Sequence, residues 1–253
     1  MKDGSHSTVF NRKDFSMDAL QKIAFKRSVI LTGSVLALLL LMLVALSQGS
    51  SGISFRQMAV ALMDSNDEIV HQIVFKIRLP RILAAVLAGA ALSVSGAVIQ
   101  TVIRNPLGSP YTLGLSAASM FGAALAIVTL GYLAQMGMAQ NLQHNPYIVT
   151  ASAFVFGLLC ALLITGFARW GGATPETLVM AGIILSALFG SATSLMQYVS
   201  NDVELAAIVS WMFGDLGKAT IQNTWLVFFI VLPSIAWFLL NTFNLSTSVP
   251  AMK

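Results

Sequence analysis

Charge is what this sequence has least of. Only 9% of its 253 residues are Asp, Glu, Lys or Arg, whereas 57% are hydrophobic; soluble domains carry about a quarter charged residues. A solvated surface cannot be built from so few charges, which excludes a soluble enzyme and a small secreted domain. Mean hydropathy of +0.81 agrees. The single cysteine, Cys160, rules out an internal disulfide and sits in an apolar run, where it reads as a packing residue. His6, His71 and His144 fall in the tail or in connections, with no spacing that would place two on one helical face, so no metal site is expected. No nucleophile, base and carboxylate cluster together, and no G-x-x-x-x-G-K-[ST] loop is present. The chain therefore reads as a non-enzyme without a cofactor, and any ATP hydrolysis belongs to another subunit. A pI near 9.4 comes from 14 basic residues without a basic stripe, so nucleic acid is not an expected partner.

What remains is apolar sequence in long runs. A bilayer core is crossed by about 20 helical residues, and six stretches meet that length: Val29 to Leu46, Ile82 to Ile103, Leu113 to Ala134, Tyr147 to Ala168, Leu178 to Val199 and Thr224 to Phe243. The fold class expected is an all-α, polytopic transmembrane helical bundle of about six spans, with a tail at 1–28, a membrane domain at 29–243 and a second tail at 244–253. Lys2, Arg12, Lys13, Lys22, Lys26 and Arg27 precede the first span and place the N-terminus in the cytoplasm by the positive-inside rule. A cleaved signal peptide ending near Ala45-Leu46-Ser47 is the rival reading of this start.

The connections differ in character. Ile53, Gln57, Val60 and Ala61 recur on a helical period and predict a short interfacial helix over Ile53 to Met63, followed by an acidic turn at Asp64, Asp67 and Glu68. The run Arg104-Asn105-Pro106-Leu107-Gly108-Ser109-Pro110 is tight, with prolines that interrupt helix geometry. Ser200 to Gln222 is a longer connection containing Trp211, with a bend predicted at Gly214 and Gly217. Within the spans, small residues repeat every fourth position, which is how helices approach closely in lipid. Gly89, Ser93 and Ala97 form one stripe, Gly114, Ala118 and Gly122 a second, and Gly182, Ser186, Gly190 and Ser194 the longest. Tight packing is the first reading of all three; the last is long enough to line a pathway instead. Gln100 and Gln197 are the larger polar residues inside spans and read as interhelical hydrogen-bonding groups.

No stretch carries a Lys, Arg, Asp or Glu in its interior. Ion-coupled carriers generally need such groups, and no charged ring or filter suggests a channel.

The residues also carry a resemblance. Arg78-Leu79-Pro80-Arg81, then Leu87-Ala88-Gly89-Ala90-Ala91-Leu92-Ser93-Val94-Ser95-Gly96-Ala97-Val98-Ile99-Gln100, then Arg104-Asn105-Pro106-Leu107-Gly108-Ser109-Pro110 and Leu113-Gly114 stand in order and at a family spacing. This sequence resembles the FecCD/BtuC-like permease subunits of ABC importers for iron chelates (siderophore, haem) and vitamin B12, with weaker similarity running to Trp211-Met212-Phe213-Gly214. The resemblance implies a fold of about ten helices and a site at the bacterial inner membrane. It also implies a second permease subunit, cytoplasmic ATP-binding subunits and a periplasmic or lipid-anchored substrate-binding protein. Arg78 and Arg81 would receive acidic residues of that binding protein, although snorkelling to the interface is their plain alternative. Gly182, Ser186, Gly190 and Ser194 would lie on the helix that lines the path, and Gln100, Asn105, Pro106, Leu107, Pro110 and Gly114 carry the family motif.

One departure bears on function. After the sixth helix the family continues with a Gly-acidic segment that grips the ATPase and then further spans, whereas Asn244 to Lys253 show neither. The chain reads as truncated after its sixth helix. Two functions follow: a permease subunit importing an iron chelate, or a transport-incompetent membrane scaffold that binds partners only.

Overall fold

The computed structural model describes residues 17–48, 68–138, 145–170 and 174–241. The interfacial helix expected over Ile53 to Met63, Asp64 and Asp67 of the acidic turn, and the tail from 244 onward lie outside the described residues. Among those described there is no strand, and six helices are long and apolar enough to cross a membrane: Gln21–Ser47, Ile69–Ile103, Leu115–Gln135, Tyr147–Arg169, Pro175–Val199 and Ile221–Leu240. The chain divides into two compact units, Met1–Ile82 and Leu83–Lys253.

In the first unit, helix α1 (Met17–Ser47) is apolar on all sides through its span and exposed along nearly its whole length. A helix of this kind is stable where lipid is the solvent, because every backbone group in its middle is satisfied internally. Its end is held: Leu46 packs with Val70 and Val74, with Phe75 and Ile82 against them. Val70 lies on a short helix, α2 (Glu68–Gln72), which continues through a π-helical turn (Ile73–Arg78) into α3 (Leu79–Ile103). Pro80 explains the turn. In an unbroken α-helix its ring would meet the carbonyl four residues back; widening to a π-turn, in which the Leu79 N–H bonds to the Val74 carbonyl, makes room for the ring.

The continuous helix Ile69–Ile103 has 35 residues, about 52 Å at 1.5 Å per residue. A hydrocarbon core is about 30 Å thick. The stretch from Ile82 to Ile103 is by itself long enough to cross it, so the turns bearing Lys76, Arg78 and Arg81 are in excess of the length required.

The second unit is built around α4 (Leu115–Gln135), whose buried face is made of Ala118, Gly122, Ala123, Ala124, Ala126, Leu130 and Gly131. These short side chains let α5 (Pro146–Trp170) and α6 (Pro175–Val199) come close on either side. At Gly122 a Cβ would lie 2.7 Å from the Ser152 carbonyl oxygen, and at Gly157 one would lie 2.7 Å from Ser119 Oγ. Phe121, Phe156 and Phe189, one from each helix, meet in the centre; Phe156 is edge-on to both others, with centroids 5.1 and 6.5 Å away. The stripe of Gly114, Ala118 and Gly122 is thus buried, whereas Gly89, Ser93 and Ala97 on α3 are exposed.

Ser200 to Gln222 is more ordered than its polar start suggests. It contains α7 (Asp202–Phe213), opened by a capping box in which Asn201 Oδ1 accepts from the Glu204 N–H and the Glu204 carboxylate accepts from the Asn201 N–H. α7 ends at Gly214, with φ 75°, and α8 (Ile221–Leu240) follows. Gln197 on α6 donates to the Met212 sulfur at 3.3 Å, tying α7 back to the helix before it.

Candidate functional site

The family-motif residues form one structure, the connection between α3 and α4, and its conformation follows from two successive helix endings of the same type. Arg104 takes a left-handed φ of 53°, and the next N–H, of Asn105, reaches back 3.3 Å to the Gln100 carbonyl. That is a Schellman ending, which satisfies a carbonyl the helix would otherwise leave open. Gln100 closes the other side with its amide, donating 3.1 Å to the Pro106 carbonyl; it serves its own connection and not a neighbouring helix. Asn105 Oδ1 accepts from the Leu107 N–H at 2.9 Å, and the Gly108 N–H bonds to the Asn105 carbonyl at 3.0 Å, with Pro106 at the turn position that suits its fixed φ.

A single helical turn then starts at Pro110. Ser109 precedes it as a cap: its Oγ accepts from the Thr112 N–H at 3.1 Å, while Thr112 Oγ1 accepts from the Ser109 N–H at 2.9 Å. The turn ends in a second Schellman motif. Gly114 has φ 77°, its N–H bonds to the Tyr111 carbonyl, and the Leu115 N–H bonds to the Pro110 carbonyl.

This connection rests directly on the small-residue stripe of α6. A Cβ on Gly182 would lie 2.5 Å from the Thr112 carbonyl oxygen and 2.7 Å from Leu113 Cα. Ser186 turns its hydroxyl onto its own helix, donating 2.8 Å to the Gly182 carbonyl, and its backbone N is 3.1 Å from where a Gly114 Cβ would stand. From α5, the Cys160 thiol donates to the Leu113 carbonyl at 3.6 Å. The stripe therefore has two halves. Gly182 is buried and Ser186 half-buried beneath the connection, whereas Gly190 and Ser194 are exposed and nothing lies within 4 Å of a Cβ on Gly190.

In the first unit, the two arginines also differ. Arg78 is buried, and its Nη1 donates to the Leu46 carbonyl and, at 3.4 Å, to that of Ser47. Arg81 is exposed.

One feature of the second unit escaped the sequence reading. A cavity of about 1170 Å³ lies beside α7, with Trp211 and Tyr147 in its wall and Glu204, Asp215 and Lys218 among its polar groups. The Tyr147 hydroxyl crosses from α5 to bond with Asn223 Oδ1 on α8 at 2.9 Å. Its readable signal is Asn201-Asp202-Val203-Glu204, a capping-box pattern directly before an apolar run.

The sequence model of the FecCD transport family matches residues 37–248. The chain belongs to the FecCD transport family. It is 37% identical over 226 residues to a protein of Methanocaldococcus jannaschii named as an ABC transporter permease, covering 88% of this chain and 65% of that one. Against the hemin transport system permease protein of Yersinia pestis it is 34% identical over 203 residues, covering 79% and 58%. A solved structure described as an inward-facing conformation of a metal-chelate type ABC transporter superposes with a TM-score of 0.70 at 29% identity, covering 88% of this chain and 65% of that one. This FecCD-family chain is thus a multi-pass membrane protein that spans a little under two thirds of the length of these relatives.

Proposed function

We propose that the chain forms membrane-spanning helices of the permease subunit of an ATP-driven importer, moving an iron–siderophore or related metal chelate from an external binding protein to the cytoplasm. The family match over residues 37–248 carries this reading. Support for the substrate class comes from the relative named for hemin and the neighbour described as metal-chelate type. The apolar interiors of the spans support a motive force supplied by a separate ATP-binding subunit, since no Lys, Arg, Asp or Glu lies inside the six stretches.

In this reading the N-terminus is cytoplasmic in the bacterial inner membrane, and a second permease subunit faces the first across the path. The Arg78 to Arg81 turn receives carboxylates of the binding protein at the outer edge, where its helix extends past the hydrocarbon. Along α6, the open half of the stripe, Gly190 and Ser194, borders the path, while Gly182 and Ser186 seat the connection that carries the family motif.

The test is uptake of a labelled ferric siderophore by proteoliposomes holding these helices within a permease of the relatives' full length, together with an ATP-binding subunit and a binding protein. Uptake is expected only with ATP, and Gly190→Leu is expected to reduce it while leaving the folded yield unchanged. Uptake driven by an ion gradient without ATP would sink the proposal.

A further inference from the structure

The cavity beside α7 belongs neither to the family-motif connection nor to the stripe of α6. Its wall comes from the end of α4, the start of α5, α7 with the turn after it, and the start of α8; among the described residues none of α6 takes part. From α7 it takes Val203, Ala207, Ser210, Trp211 and Gly214, which recur at helical intervals along one face. Met212, which accepts from Gln197 of α6, points from the opposite face. The cavity and the helix assigned to the path are therefore on different sides of α7.

The charges of the cavity do not cancel one another. Glu204, Asp215 and Lys218 line it, and among the described residues no ion pair joins them. Both carboxylates are held in place, Glu204 by accepting from the Asn201 N–H at 3.2 Å and Asp215 by accepting from the Gly217 N–H at 2.7 Å. Glu204 can stand against α4 only because Gly131 has no side chain: a Cβ there would overlap its Oε1. Two fixed carboxylates and one ammonium around a space of about 1170 Å³ suit a ligand that carries both signs.

The depth of the cavity identifies the class of molecule. It lies where α4 ends and α5 and α8 begin, at the boundary of the spans, and Trp211 and Tyr147 in its wall are residue types that favour that depth. Two apolar faces lead away from it along the helices. On α8 the face of Asn223 continues with Leu226 and Ile230, and on α5 the face of Tyr147 continues with Phe154 and Leu158; all four are exposed.

We propose that this cavity binds the headgroup of phosphatidylethanolamine from the surrounding membrane, with the lipid phosphate at Lys218, the primary ammonium at Glu204 and Asp215, and the acyl chains along the two exposed faces. A primary ammonium brings three N–H donors to the carboxylates, as a lysine does. The quaternary ammonium of phosphatidylcholine brings none, and phosphatidylglycerol has no cation. The site is independent of what the path carries.

The full chain is reconstituted in nanodiscs of equal parts phosphatidylethanolamine, phosphatidylglycerol and phosphatidylcholine, and the lipid retained one-to-one on release is counted by native mass spectrometry. Phosphatidylethanolamine should exceed each of the others at least about tenfold, the scale of one hydrogen bond to a charged group. Glu204→Gln combined with Asp215→Asn removes both charges and keeps the caps, because glutamine serves in a capping box and asparagine caps as aspartate does. That variant should lose the preference over phosphatidylglycerol. Lys218→Gln, at an exposed position, should lower retention of phosphatidylethanolamine without any change in fold. Equal retention of the three lipids, a preference that survives the double variant, or unchanged retention in Lys218→Gln would overturn the proposal. Soluble glycerophosphoethanolamine binding as tightly as the lipid would overturn it too, by making the site one for a free zwitterion.

Discussion

Gly114 and Gly182 meet backbone to backbone: a Cβ on Gly114 would stand 3.0 Å from the Gly182 carbonyl oxygen. Gly114 is also left-handed, at φ 77°, so both its conformation and its surroundings require the absence of a side chain. The contact joins the end of the family-motif connection to the helix whose farther half remains open. Any movement of α6 at this level must carry Leu113 and Gly114 with it or break their packing.

Gly182→Ala is therefore expected to destabilise the chain by about 2 kcal/mol, the usual scale for overpacking, because the groups in the way are backbone atoms of Thr112 and Leu113 that cannot rotate aside. Gly190→Ala, in mid-helix and with nothing within 4 Å of its Cβ, should be neutral or stabilising, by up to about 1 kcal/mol. Reversible unfolding in mixed micelles compares the two. Equal losses would show that the stripe is packed alike along its length.

The α4–α5 crossing gives a second test. Ser152 Oγ donates 2.6 Å to the Gly122 carbonyl, and a Cβ on Gly122 would lie 2.9 Å from Phe156 Cβ. Interhelical hydrogen bonds in bilayers average about 0.6 kcal/mol, so Ser152→Ala should cost about that much. Gly122→Ala, which forces the helices apart, should cost about 2 kcal/mol. The same unfolding assay decides, and a larger loss for Ser152→Ala than for Gly122→Ala would refute this ranking.

The six apolar helices were legible because lipid leaves so few alternatives: runs of about 20 apolar residues admit one structure. The start of the second helix was harder to see. Charges at Lys76, Arg78 and Arg81 end the apolar run, yet the helix begins at Glu68, since a helix need not stop where the hydrocarbon does. Arg78 and Arg81 stand three positions apart, a spacing that says nothing of their different burial, and no sequence signal shows that the carbonyl end of α1 lies within reach of Arg78. Gln100 illustrates the opposite case, since its partner at Pro106 is local and fixed by the Schellman ending between them. The small-residue stripes announced close packing but not which stripe finds a neighbour: Gly122 and Gly182 do, and Gly89 lies open.

At the entrance to α7, the Asn201–Glu204 capping box satisfies N–H groups at both residues. Asn201→Ala should lower stability by about 1 kcal/mol. Hydrogen exchange should locate the loss in the first turn of α7. Uniform acceleration across α4 and α5 instead would mean that α7 does not open separately from the core.

Arg104 holds a left-handed φ of 53°, a conformation that costs a residue with a Cβ about 1–2 kcal/mol relative to the right-handed one. Replacing Arg104 alone would confuse that cost with whatever its long side chain contributes. Arg104→Gly and Arg104→Ala both remove the side chain beyond Cβ, so the difference between them isolates the backbone. Glycine gives back some of its advantage through the greater entropy of its unfolded chain, and Arg104→Gly is expected to be the more stable variant by about 1 kcal/mol. Unfolding of the two variants side by side measures this. If Arg104→Ala proved equal or better, the connection would have relaxed away from the left-handed ending, and the Asn105 N–H would no longer reach the Gln100 carbonyl.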